Sequence, residues 1–192
     1  MMKKIQLILV AFAIMCTASG CTNYEKEYSR NTLIVKSNGS LVEVAIEDFN
    51  DSPVQADDLV SYIEEQIADY NEEAGKKYVK QLSINTEDMS QAELVLKYKD
   101  IDTYNGFNSL ECILADFSEV KESALEGSFK SAEGKTVKSS DLTGTDRATV
   151  LILSEKTDVV FDGELLYHNG EVQVEDGVLT TSGEGNAIII FK

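Results

Sequence analysis

Histidine and cysteine are scarce in this chain and basic residues are heavily outnumbered, and each shortage removes a class of function. A single histidine, His168, makes the HExxH zinc pattern impossible, and no Ser-His-acid spacing surrounds it. His168 stands beside Asn169-Gly170, so it is expected at a solvent-facing turn. There is no CxxC pair, no GxGxxG loop and no GxxxxGK[ST] loop, which leaves thiol redox, dinucleotide and P-loop phosphate chemistry without their usual residues. Seventeen Lys and Arg face thirty-four Asp and Glu, a net charge of −17. Neutralising phosphates takes clustered cations, so nucleic acid is excluded as a partner, and lying flat on an anionic membrane is disfavoured. No apolar run reaches the ~20 residues that a membrane-spanning helix needs.

What is present is an address. Lys3 and Lys4 give a positive start, residues 7–16 carry no charge, and small residues lead to Ala18-Ser19-Gly20-Cys21. Basic head, short apolar centre and small-residue cleavage site make a secretory signal peptide. The Ser19-Gly20-Cys21 ending resembles the lipobox of bacterial lipoproteins, with Ala18 where leucine is usual. That resemblance implies cleavage between Gly20 and Cys21, a diacylglycerol on the Cys21 thiol, and attachment at the outer face of the cytoplasmic membrane. In a Gram-negative cell the protein would instead face the periplasm or sit in the outer membrane. The alternative is an ordinary signal peptide with an incidental cysteine. Each buried methylene adds ~0.8 kcal/mol of membrane affinity, so two or three chains hold firmly. Cys16 leaves with the leader and Cys112 remains alone among Leu110, Ile113 and Leu114, which excludes a disulfide framework and points to a buried thiol.

Loss of residues 1–20 leaves 172 residues with a charge of −19. Residues 22–31 are polar and read as a tether; residues 32–192 read as a single α+β domain. Asn38-Gly39 predicts a two-residue hairpin turn that sets Val35 opposite Val42 and Leu33 opposite Val44, with Ile34 opposite Glu43. A loop at residues 50–53 carries the only proline. Asp57-Asp58, then Leu59, Ile63, Ile67, Tyr70 and Ala74, and finally Gly75, predict one long amphipathic helix packed on a mixed or antiparallel sheet. Residues 80–85 and 92–99 alternate as strands around a turn at 87–91. Asp100 caps a short helix through Asn108, residues 110–115 form a strand, and Asp116 starts another short helix to about Ala124. Residues 128–138 form a hairpin around Glu133-Gly134, and residues 139–146 a polar loop.

Residues 148–192 read as wholly β. After a buried strand at 149–153, glycine turns at Asp162-Gly163, Asn169-Gly170 and Asp176-Gly177 fall seven residues apart. Two-residue turns there would align Val160, Leu165, Val174 and Leu179 across a meander, with Tyr167 and Val172 beside them, and residues 187–191 closing it. A short stacked solenoid is the alternative.

No constellation amounts to a catalytic site. Asp100, Asp102, Asn108 and Glu111 approach calcium-loop spacing, but Gly106 falls one place late and Tyr104 takes a ligand position, so no metal is expected. Tyr104, Phe107 and Asn108 are the candidate ligand-binding residues, a surface for a sugar, against the alternative that both aromatics pack in the core. The layout as a whole resembles uncharacterised bacterial cell-surface lipoproteins, whose likeness brings no activity with it. The expected function is therefore a non-catalytic binding or interaction module on the membrane, with an extracytoplasmic protein or glycan as partner and no cofactor beyond the lipid on Cys21. A hydrolase of envelope glycans using two carboxylates is the alternative.

Overall fold

The computed structural model describes residues 28–48, 55–86, 91–175 and 177–192. The expected signal segment, Gly20 and Cys21, the expected loop at 50–53, most of the expected turn at 87–91 and Asp176 lie outside the described residues.

Strands β1 (Thr32–Val35) and β2 (Leu41–Asp48) form the first hairpin, closed by one residue more than expected. Gly39 N–H donates to Lys36 O and Lys36 N–H to Ser40 O, both at 2.9 Å, so the loop is three residues long. Gly39 takes φ +80° as the left-handed residue that ends such a loop, and Asn38 Oδ1 accepts from Ser40 N–H at 3.0 Å. The register therefore moves by one: Val35 lies opposite Leu41, and Leu33 opposite Glu43. All four residues of β1 are buried, so the slip moves no side chain into water.

Beyond β2 come β4 (Gln91–Tyr98) and, at the edge, β3 (Val79–Asn85), whose pairing is interrupted by a bulge between Gln81 and Ser83. Helix α1 (Ala56–Glu73) opens with Asp57 and Asp58 and is followed by Gly75 at φ +66°. The helix packs on the sheet at its edge only, and none of its residues is fully buried. It meets the edge strand β3, and Ile67 and Tyr70 reach the core. Asn71 secures its end, donating to Val79 O at 2.9 Å and accepting from Tyr78 N–H at 2.8 Å and Val79 N–H at 3.0 Å.

Helix α2 (Ile101–Asn108) forms as expected, with Asp100 accepting from Thr103 N–H at 2.9 Å. Strand β5 (Ile113–Asp116) follows. The helix expected from Asp116 is instead two separate single turns, at Phe117–Glu119 and Glu122–Ala124, and Asp116 makes no side-chain cap bond. Val120 and Lys121 stay extended between them, so that Phe117, Val120, Ala124 and Leu125 all reach one apolar cluster. A continuous helix would aim a single stripe there. The small hairpin β6 (Ser128–Ser131) and β7 (Thr136–Lys138) matches expectation.

The remaining strands are β8 (Thr149–Leu153), β9 (Asp158–Phe161), β10 (Leu165–Asn169), β11 (Val172–Glu175), β12 (Val178–Thr181) and β13 (Ala187–Phe191). They form neither a meander nor a solenoid, because the chain alternates between two sheets. One has the order β11-β12-β9-β1-β2-β4-β3, the other β5-β8-β13-β10-β6-β7. Of the expected cross-strand row only Val174 opposite Leu179 forms; Leu165 and Tyr167 lie in the other sheet, against β13 and β6. The glycine turns at 162–163 and 169–170 are thus crossings. At the first, Glu164 and Lys192 exchange backbone hydrogen bonds of 2.7 and 3.0 Å. At the second, Asn169 Oδ1 accepts from Ile188 N–H at 3.0 Å and Asn169 Nδ2 donates to Asn186 O at 2.7 Å. Each crossing replaces hairpin bonds with bonds to β13 or its flanks, leaving the backbone polar groups satisfied.

The sheets share a core of Leu33, Val35 and Leu41 against Leu151, Leu153, Ile189 and Phe191. β1 runs parallel to β9 and gives this body two ends. The chain enters at the first, and residues 28–31, expected as free tether, are fixed there. Tyr28 packs with Ile34, Val42, Val44 and Val95 on the outer face of the first sheet, and Arg30 pairs with Asp158 at 3.0 Å. Asn31 Oδ1 accepts from Ile46 N–H at 2.8 Å, and Asn31 O accepts from Asp158 N–H at 2.8 Å. At the opposite end, Phe161 and Phe191 stack between the sheets with ring centroids 4.2 Å apart.

Candidate functional site

The three candidate ligand-binding residues turn inward. Tyr104 is 4 % exposed and sets its ring edge-on to Tyr98, centroids 5.1 Å apart. Phe107 sits between Tyr70 and Tyr98, at 5.6 and 5.8 Å. Asn108 Nδ2 donates to Tyr98 Oη at 3.2 Å. Their helical spacing put the aromatics on the core side of α2, so they form a packed cluster rather than an open sugar platform. Asp100, the first residue of the calcium-like spacing, is likewise committed: it caps α2 and pairs with Lys99 Nζ at 2.8 Å. Burial opposes its ionisation, but the Lys99 and Thr103 hydrogen bonds prevail and hold its carboxyl below the ordinary value. Among the described residues no group of three or more His, Cys, Asp or Glu is arranged to hold a metal, and no helix is long and apolar enough to cross a membrane.

His168 is 6 % exposed within β10, not solvent-facing, because Asn169-Gly170 is a crossing and not a hairpin turn. Its Nδ1 lies 2.9 Å from Asn169 O; a carbonyl only accepts, so Nδ1 carries the hydrogen. Ser131, in the neighbouring strand, pairs opposite Tyr167, and its hydroxyl donates to Glu133 Oε2 at 2.7 Å. Cys112 is buried, as its neighbours suggested, and donates to Glu155 Oε2 at 3.3 Å. Burial first, and then Glu155, push its thiol up to about 12.

Sequence reasoning missed the most unusual group, Glu43. It shares the inward face of β2 with Leu41 and accepts a 2.5 Å hydrogen bond from Tyr98 Oη. Burial raises its carboxyl above the ordinary value, hydrogen bonds from Tyr98 and Asn108 pull it back, and the charge of Glu155 adds to the rise. Burial and then the Glu43 charge also raise Tyr98 and Tyr104 far beyond the ordinary phenol value. The detectable signal was the run Thr32-Leu33-Ile34-Val35, which lacks alternation. A strand apolar on both faces buries both faces of its neighbour, Glu43 included. Chemically, Glu43 and Glu155 are two half-buried carboxyl groups near enough for the charge of one to act on the other. Each is turned to a protein donor, Tyr98 and Cys112 respectively.

One of several open clefts lies at the end of the body away from the point where the chain enters. A cleft of about 500 Å³ opens there between the sheet ends, walled by Lys36, Asp100, Asp116, Glu119, Asp162 and Lys192. β1, β5 and β9 deliver Lys36, Asp116 and Asp162 at their C-terminal ends, which brings charges from both sheets round one opening. Asp116, Glu119 and Asp162 are exposed. No family model, curated protein or solved structure matches this chain.

Proposed function

We propose that this chain is a membrane-anchored extracytoplasmic lipoprotein, held by a diacylglycerol on Cys21, whose residues 32–192 serve as a non-catalytic binding domain. The anchor rests on the charged head, apolar centre and Ser19-Gly20-Cys21 ending. One observation carries the binding role. Glu43 and Glu155 are occupied by protein donors, whereas Asp116, Glu119 and Asp162 stand exposed round an open cleft whose four carboxylates outnumber its two lysines. A wall of that composition suits a basic peptide or another polycation. The test is titration of the mature chain with oligolysine, before and after the double substitution D116K/E119K. At least tenfold weaker binding in the variant is expected; no binding by the unaltered chain, or equal binding by both, overturns the reading.

Glu43 favours a second reading, a carboxylate-pair hydrolase, because a raised carboxyl near a second acid is what general acid catalysis requires. On that reading the mature chain releases reducing ends from envelope glycan, and Glu43→Gln stops the release. The first reading is preferred because the end cleft has neither Glu43 nor Glu155 in its wall.

A further inference from the structure

The geometry points to the free edge of β5 as the place where the acidic cleft takes its ligand: an extended basic peptide, added to the second sheet as one more strand. This inference rests on the binding reading of the cleft and adds the partner's conformation and sequence pattern.

β5 is an edge strand, paired only with β8. In an antiparallel pair one residue bonds across with both its N–H and its C=O, and the next turns both away. Phe117 N–H donates to Ala148 O at 2.8 Å, which fixes the phase of that alternation. Ile113 and Ala115 therefore bond to β8, while Cys112, Leu114 and Asp116 turn their backbone groups outward. The outward groups of Cys112 are matched by the Asn105 side-chain amide, at 2.8 and 2.9 Å. Those of Leu114 and Asp116 have no partner among the described residues, and both residues line the cleft. Two donors and two acceptors at strand spacing, open to a cleft, form a template for strand addition. Asn105 fills the first place in that row, and a peptide continues it.

The side chains of β5 set the pattern of the guest. Leu114 packs against the core between the sheets, and Asp116 shares its face of the strand. Ile113 and Ala115 share the other face, where Ile113 is 40 % exposed. Alternate residues of an added strand lie beside these two sets, so lysines suit the face of Asp116 and valines that of Ile113. Asp162 and Glu119, also in the cleft wall, reinforce the preference for cations. The β5 edge of a second copy would bring its own Asp116 among these carboxylates, so charge selects a basic peptide over self-association.

The test titrates the mature chain with a capped hexapeptide of alternating lysine and valine, and with two N-methylated forms of it. One form is methylated at the lysine amides, the other at the valine amides. Only one set of amides can reach β5: that of the lysines if the guest runs antiparallel, that of the valines if it runs parallel. One methylated form is expected to bind at least tenfold more weakly, and the other within twofold of the parent. Saturation with the parent peptide is expected to slow amide exchange at Leu114 and Asp116 at least tenfold by NMR, with Ile113 and Ala115 unchanged. Equal affinity of the two methylated forms, or no slowing at Leu114 and Asp116, overturns strand addition alone. So does failure of the hexapeptide to bind where oligolysine binds. Absence of binding by hexapeptide and oligolysine alike overturns the binding reading and strand addition with it.

Discussion

Gly163 is where the chain leaves the first sheet for the second, and a Cβ there would lie 2.0 Å from Lys192 O and 2.8 Å from Lys192 C, both backbone atoms. Neither can move without breaking the Glu164–Lys192 exchange, so Gly163→Ala costs about 2–3 kcal/mol. Gly170, at the other crossing, has nothing within 4 Å of the place a Cβ would take, and Gly170→Ala stays within about 0.5 kcal/mol. Urea denaturation of both variants checks the contrast. Glu43 supplies a pH signature. A carboxyl raised on folding holds its proton more tightly in the folded state, so ionisation removes stability as pH climbs from the ordinary 4.5 through the raised value. The stability difference between Glu43→Gln and the unaltered chain is therefore expected to grow in the variant's favour between pH 4 and pH 7. Denaturation midpoints across that range test it; a constant difference contradicts it.

At the level of elements, three asparagines do what a neighbouring strand would do. Asn71, Asn105 and Asn169 each present both ends of the amide to the backbone of another segment, donor to a carbonyl and acceptor to an N–H. Asn105 holds Cys112 at the start of β5 this way, by bonds of 2.8 and 2.9 Å. Asn105→Asp keeps the acceptor and loses the donor, which is expected to cost about 1–3 kcal/mol and is measured by thermal melting. Such bonds explain where sequence reading succeeded and where it stopped. The strand at 149–153, helix α2 with its Asp100 cap and the hairpin at 128–138 follow from periodicity and turn chemistry within a few residues. The sheet to which β10 belongs does not. Asn169-Gly170 satisfies a tight hairpin and a crossing equally well, and the choice is made by Asn186 and Ile188, far along the chain. Tyr104 and Phe107 show the same limit: an aromatic spacing reads alike whether the rings face a sugar or Tyr98.

For the whole molecule, the body begins before its first strand. A chain starting at Thr32 lacks Tyr28 on the outer sheet face, the Arg30–Asp158 pair and the Asn31 bonds. It is expected to be about 3 kcal/mol less stable than one starting at Tyr28, as urea midpoints of the two chains will show. Order of pairing carries a second consequence. β1 needs β9 as its parallel neighbour, more than a hundred residues later, and β13 lies between β8 and β10 in the middle of its sheet. At 5–20 residues per second a ribosome takes roughly 6–25 s to go from the one to the other, and longer to reach residue 191. Throughout that interval neither sheet can close, so a nascent chain carries unpaired strand edges. With β13 woven between β8 and β10, the second sheet is held open until residues 187–191 arrive to bridge its two halves.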